Sequence, residues 1–164
     1  METFKSVLAR YKKCLSIFLF LLIFFVFVGI IANELNSNDI DITVNISKVC
    51  FDGSCISVEI PRGIDEMARG LMFREKLNED EGMLFIFQCE DKYPFWMKNM
   101  KFPIDIIWMD SNGRVVHIER SVPPCKREPC IIYKPKVKAK YVLEVVANFT
   151  IKQNITLNSN AVFY

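Results

Sequence analysis

Residues 104–119 read IDIIWMDSNGRVVHIE. The first six form an apolar run around a single acid, Asp105, and are rich in isoleucine and aromatic character, as in a strand buried on at least one face. Asn112-Gly113 is a strong tight-turn signal, so the run is expected to fold back as a hairpin onto RVVHIE. Working outward, most neighbouring stretches have the same character. ITVNI alternates over 42–46, CISVEI follows an Asp52-Gly53 turn, MLFIF fills 83–87, YVLEVV fills 141–146, and NITLNSNAVFY supplies one or two more strands. One helical pattern interrupts them: Ile64, Met67, Ala68 and Leu71 fall at i, i+3, i+4 and i+7, with Asp65 and Glu66 in the first turn and Gly70 to end it. Its apolar stripe is expected to lean on the sheet. The reading is a mainly β domain over residues 42–164 with one short helix.

Ahead of this domain lies LSIFLFLLIFFVFVGIIA, from Leu15 to Ala32, with no charge and only Ser16 polar. Eighteen helical residues reach about 27 Å, close to the ~30 Å of bilayer hydrocarbon, so a single transmembrane helix is expected. Lys5, Arg10, Lys12 and Lys13 precede it and acidic and amide residues follow, which keeps residues 1–14 in the cytoplasm as a basic tail and sends the carboxy-terminal domain outside. A cleaved secretory signal would have a shorter apolar run and a small residue where Ile30 stands. Either reading exports the domain. Residues 33–41, NELNSNDID, form a polar spacer. The formal charge of the chain is +2, but the basic excess belongs to the tail. Beyond the anchor acids and bases nearly balance, so bulk charge does not suggest a nucleic-acid partner and none is expected.

Cys14 lies at the cytoplasmic mouth of the anchor. Of the other cysteines, four form two C-x4-C pairs, Cys50 with Cys55 and Cys125 with Cys130. A two-residue type I′ turn at Asp52-Gly53 makes Phe51 and Ser54 its closing pair and Cys50 and Cys55 the next cross-strand pair, at about 4.5 Å between Cα atoms. An exported domain favours oxidation over a four-thiolate zinc site, whose spacing is usually tighter. Spacing alone leaves the connectivity open. Cys89 remains, expected as a buried thiol at the end of a strand. The sequons at Asn45, Asn148 and Asn154 all lie beyond the anchor, where glycosylation is available. The run KPKVKAKYV places Lys134, Lys136, Lys138 and Lys140 on one side of an extended segment. It reads as an edge strand guarded by lysines, or alternatively as a basic stripe facing lipid headgroups.

The motifs RGLMFREKL, EGMLFIF, FWMKNM, FPIDIIWMD, NGRVV, VPPC and YVLEV occur in this order between Arg69 and Val146. Together they resemble the domain of unknown function 192 family, also called uncharacterised protein family 0127. The resemblance covers roughly residues 40–164 and implies a compact, mainly β domain with a barrel-like or sandwich core, often exported. It implies no established activity. After YVLEV the chain departs from the family pattern, because VANFTIKQNITLNSNAVFY lacks the glycines expected there.

Polar residues set among apolar ones mark a candidate binding site: Arg69, Arg74, Glu81, Trp96, Lys98, Asn99, Asp105 and Glu144. Burying such charges singly is costly, so Asp105 and Glu144 are each expected to find an arginine, or to form a polar patch in a cleft walled by Phe95, Trp96 and Trp108. Within FWMKNM, strand alternation places Trp96, Lys98 and Met100 on one face and Phe95, Met97 and Asn99 on the other. Trp96 and Lys98 are expected to be partly exposed, with Asn99 bonding backbone. His117, the sole histidine, has no triad partner and is expected to face solvent or cap a strand edge. No nucleophile elbow, phosphate loop or zinc-protease motif occurs, and no cofactor or metal is expected. The leading expectation is a membrane-anchored binding module for an envelope or carbohydrate-like ligand. A hydrolase working through acidic residues, with Glu81, Asp105 and Glu144 converging, is the alternative. A structural or assembly partner of a membrane complex is the third.

Overall fold

A computed structural model describes residues 46–164. The expected tail, anchor and spacer, the sequon at Asn45 and nearly all of ITVNI lie outside the described residues. Among the described residues no helix is long and apolar enough to cross a membrane.

Among the described residues nine strands and two short helices follow in order: β1 Lys48–Phe51, β2 Ser54–Glu59, α1 Gly63–Arg69, β3 Glu81–Asp91, β4 Phe95–Trp96, β5 Ile104–Met109, β6 Val115–Val122, β7 Ile132–Tyr133, β8 Ala139–Val146, α2 Phe149–Lys152 and β9 Ala161–Phe163. Seven strands form one mixed sheet in the order β6-β5-β8-β3-β2-β1-β9, and β4 pairs with β7 in a separate ribbon. The mainly β expectation holds, but the sheet is not a closed barrel. A barrel has one interior, whereas here both faces carry core. Leu84, Ile107, Met109, Leu143 and Val145 pack on one face. Met83, Phe85, Ile106, Trp108 and Val142 pack on the other, under the segments that carry Leu71, Leu77, Met97 and Met100. Alternation within each strand divides the two sets. Each of these side chains contributes roughly 1.5–3 kcal/mol on full burial.

The β1–β2 turn forms as expected, with Asp52 at φ 46° and Gly53 at φ 89°. Cys50 opposes Cys55 across it and the two are joined in a disulfide with Cα atoms 4.0 Å apart. Cys125 and Cys130 form the second disulfide. The β5–β6 hairpin also forms. Only Gly113 takes the left-handed conformation there, at φ 78°, after a turn in which its N–H donates to the Asp110 carbonyl at 3.0 Å.

That turn also ties the two ends of the sheet together. Arg114 bridges Asn160, and the Ala161 N–H donates to the Gly113 carbonyl at 2.8 Å. A Cβ on Gly113 would stand 2.6 Å from the Ala161 carbonyl oxygen. Gly113→Ala therefore combines a positive-φ penalty with a backbone clash. It is expected to destabilise the full-length protein by about 2–3 kcal/mol, read as a lower urea midpoint at unchanged slope. A shift below about 0.5 kcal/mol would show that the two ends are not joined at this turn.

Three expectations are corrected. No residue of α1 is buried: Ile64 is 85% exposed, and of the expected stripe only Leu71, past the helix end, enters the core. The helix stands off the sheet because Gly70 turns the chain before the stripe can dock. The lysine run is not an edge strand. β7 stops at Tyr133 and the chain bends before β8, since Pro135 has no N–H for a ladder. Lys140 instead lies within β8, between β3 and β5. Cys89 is exposed rather than buried. The β3–β8 register jumps between Ile86 and Asp91, and the looped-out residues carry Cys89 away from the core. The carboxy-terminal segment supplies one strand, β9, within the one or two expected.

Candidate functional site

The space left between α1 and the sheet is a cleft of about 430 Å³. Its floor is Phe85 of β3 and Glu144 of β8. One wall is α1 with the chain after it, including Met67, Ala68, Gly70 and Met72. The opposite wall is the segment from Phe87 to Trp96, released from the sheet by the register jump in β3.

Aromatic packing fixes this second wall. Phe95 meets Phe85 edge-to-face at 5.0 Å and Trp108 at 5.8 Å, so it anchors the ribbon to the core. Phe87 stacks on Tyr93 at 3.5 Å. The Trp108 indole N–H donates to the Tyr93 carbonyl at 3.0 Å. Trp108 itself is fully buried. It supports the wall from behind and is not part of it, contrary to expectation.

Glu144 is the electrostatic centre of the cleft. It is 4% exposed, and its Oε2 has no hydrogen-bond partner. Burial pushes its pKa up to about 8, against a smaller lowering by Arg74. The carboxyl is thus mostly a neutral acid at neutral pH, able to donate one hydrogen bond and accept another. Arg74 does not neutralise it, because its guanidinium holds Glu59 through two bonds of 2.6 and 2.7 Å. That pairing lowers the Glu59 pKa and raises that of Arg74.

The family model for domain of unknown function 192, described as an uncharacterised ACR, matches residues 47–162. The chain belongs to the DUF192 family. No curated protein matches it. Two solved structures resemble this DUF192 domain. One is a protein of unknown function from Novosphingobium aromaticivorans, 28% identical over 71% of this chain and 84% of that one, with a TM-score of 0.65. The other is a proposed transcription regulator from Sinorhizobium meliloti, 25% identical over 71% of this chain and 90% of that one, with a TM-score of 0.63.

Of the eight candidate residues in the DUF192 domain, Arg69, Trp96 and Glu144 line the cleft. Arg74 stands behind it, in an adjoining depression with Arg69 and Glu59. Trp96 is 47% exposed at the rim. Lys98 lies over its ring at 5.6 Å and pairs with Glu128 at 2.6 Å, which lowers the Glu128 pKa. The FWMKNM alternation fails after Trp96, where β4 ends. Met97 and Met100 both turn into the core. Asn99 is exposed in the left-handed conformation at φ 56°. Its carbonyl accepts the Phe73 N–H at 2.9 Å, and its side chain reaches only the Met72 sulfur. Glu81 accepts the Asn78 N–H at 3.3 Å.

Asp105 lies elsewhere. In register, Ile106 opposes Glu144 while Asp105 opposes Val145, so the two acids point to opposite faces of the sheet. They cannot flank one scissile bond, and a hydrolase built on that pair is ruled out. Asp105 does not bind an arginine directly. Its carboxylate accepts the N–H groups of Ser121, Asn148 and Thr150 and the Thr150 hydroxyl. Arg120 reaches that network only through the Thr150 oxygen, at 3.1 Å. The same bonds bury the threonine of the Asn148 sequon, whereas Asn154 and Thr156 are exposed. His117 is half-buried beside Glu119 at 3.0 Å and against the Trp108 ring.

Sequence reasoning missed the methionine and aromatic walls, Met67, Met72, Phe87 and Tyr93. In sequence Gly70 reads only as a helix stop. A Cβ there would meet Phe85 at 3.3 Å and Glu144 Oε2 at 3.6 Å. The one available signal was a glycine directly before an apolar run, which is ambiguous between a helix end and a close approach.

Proposed function

We propose that this DUF192 protein is a single-pass, exported binding module whose cleft takes a small, largely apolar ligand held by one polar group. The observation that carries the reading is the buried, unpartnered Glu144 oxygen on the floor of an aromatic cleft. An apolar cavity of a few hundred Å³ with one convergent polar group has the general form of a ligand site. A buried polar atom without a partner costs about 1–3 kcal/mol, a cost that a bound ligand would relieve. Export is supported by the apolar run from Leu15 to Ala32 with its basic flank, and by two disulfides of the kind that oxidising compartments maintain. The expected glycan narrows on this reading. Sugar hydroxyls need several directional partners, and the cleft favours instead a flat or aliphatic body that stacks on Trp96.

The test is a thermal-shift and tryptophan-fluorescence screen of the full-length protein against small aromatic and aliphatic amphiphiles. Binders are expected to raise the melting temperature and alter the Trp96 emission. Ala68→Trp, at an exposed helix position lining the cleft, is expected to fill the space and weaken binding at least tenfold, about 1.4 kcal/mol, without unfolding the domain. Silence across the panel, or equal binding to Ala68→Trp, would overturn the reading.

A further inference from the structure

We infer that the ligand of this cleft is an organic cation, its ammonium group set against the Glu144 carboxylate and its apolar body laid along the aromatic wall. The inference rests on the binding reading above and names the ligand class.

The charges around Glu144 leave it available. Arg74 is held by both carboxylate oxygens of Glu59. Glu81, on the same sheet face, accepts a backbone N–H. Arg69 lines the cleft from the exposed end of α1, where water screens it. Among the described residues no charged group therefore pairs with the Glu144 carboxyl, whose Oε2 is buried and unpartnered.

The walls favour the same sign of charge. Phe85, Tyr93, Phe95 and Trp96 are among the residues that line the cleft, and aromatic rings attract cations. Trp96 already carries one cation, the Lys98 ammonium at 5.6 Å from its centroid. An anionic ligand would gain less here, because Arg69 is exposed to screening water and the floor beneath it is a carboxyl group among aromatic side chains. The volume of about 430 Å³ suits a ring or short chain bearing one amine.

Proton balance follows directly. In the free protein at neutral pH Glu144 holds its proton. When the ligand ammonium arrives, the Glu144 O–H bond breaks, the proton leaves to solvent, and an ammonium–carboxylate pair remains. Affinity must then rise with pH while Glu144 is protonated in the free protein.

The experiment is calorimetric titration of the full-length protein with 2-phenylethylammonium and its neutral isostere 2-phenylethanol, from pH 6 to 7.5, where the amine stays charged. The ammonium is expected to bind at least tenfold more tightly than the alcohol at pH 7.5. Its affinity should rise about tenfold per pH unit, with about one proton released into the buffer. Glu144→Gln is expected to abolish both the preference and the slope. If the alcohol binds as well or better and affinity does not rise with pH, Glu144 acts as a neutral hydrogen-bond donor. The cation inference then falls while the binding reading stands. Absence of binding by either compound at millimolar concentration also overturns the inference, and the amphiphile panel then decides the binding reading separately.

Discussion

Replacing Asp105 by alanine is expected to lower the unfolding free energy by about 4 kcal/mol, a large share of the 5–15 kcal/mol typical of a domain. Asp105 is fully buried, and its two oxygens accept four hydrogen bonds of 2.6–3.1 Å. Two of those donors belong to Ser121 and Asn148, both left-handed, at φ 48° and 69°. The carboxylate thus holds the end of β6 and the entry to α2 in conformations that L-residues disfavour. Alanine leaves these donors facing a void, each orphaned group costing about 1–3 kcal/mol. Asp105→Asn is a sharper probe. It keeps the shape but turns an amide N–H₂ toward one set of donors, so roughly half the loss should remain. Urea unfolding of the full-length variants measures both. A loss below about 1 kcal/mol for alanine would mean that the network does not hold these turns.

Glu144→Gln is expected to do the opposite. The Glu144 pKa rises from 4.5 in the unfolded chain to about 8 in the folded one, chiefly by burial. The folded state therefore keeps a proton that the unfolded state has lost. Stability from this group is fully present below pH 4.5 and is lost as pH rises toward about 8. Each pH unit within that window costs about 1.4 kcal/mol, so near pH 7 the wild-type acid costs about 3 kcal/mol relative to pH 4.5. Glutamine has nearly the same shape and no such titration. It should match wild type near pH 5 and exceed it by about 2–3 kcal/mol at pH 7.5, since an amide does not ionise. The quantity to measure is the difference between the two proteins across pH, because groups such as Glu59 titrate in both. A constant difference would refute the raised pKa. A destabilised variant would show that the carboxyl has a partner which glutamine cannot serve.

Seen together, the two acids explain what local reading could and could not reach. Both sit in near-identical contexts, Asp105 between isoleucines and Glu144 between Leu143 and Val145. Both read as buried charges in need of partners. Their different fates come from register. Pairing of β5 with β8 places Asp105 on the face covered by α2 and Glu144 on the face beneath the cleft. One finds backbone donors at the end of a neighbouring strand, and the other keeps one oxygen without a partner. The same register decides that the converging-carboxylate arrangement does not exist.

What the sequence determined by itself is local or composite in nature. The Asp52-Gly53 turn sets the pairing of Cys50 with Cys55 within a few residues. IDIIWM coincides with β5 residue for residue, and its hairpin follows from a nearby glycine. The ordered motifs from Arg69 to Val146 identified the family. Each of these rests on interactions close in the chain, or on several fragments read together. The tertiary structure alone decided the sheet order, the core on both faces, the stand-off of α1 and the release of residues 87–90. It also separated Trp96 and Glu144, which share a cleft, from Asp105, which does not. These depend on contacts between segments tens of residues apart, whose pairing is selected by the packing of the whole domain. A strand's period of two says that its neighbours face opposite ways, but not which way is which.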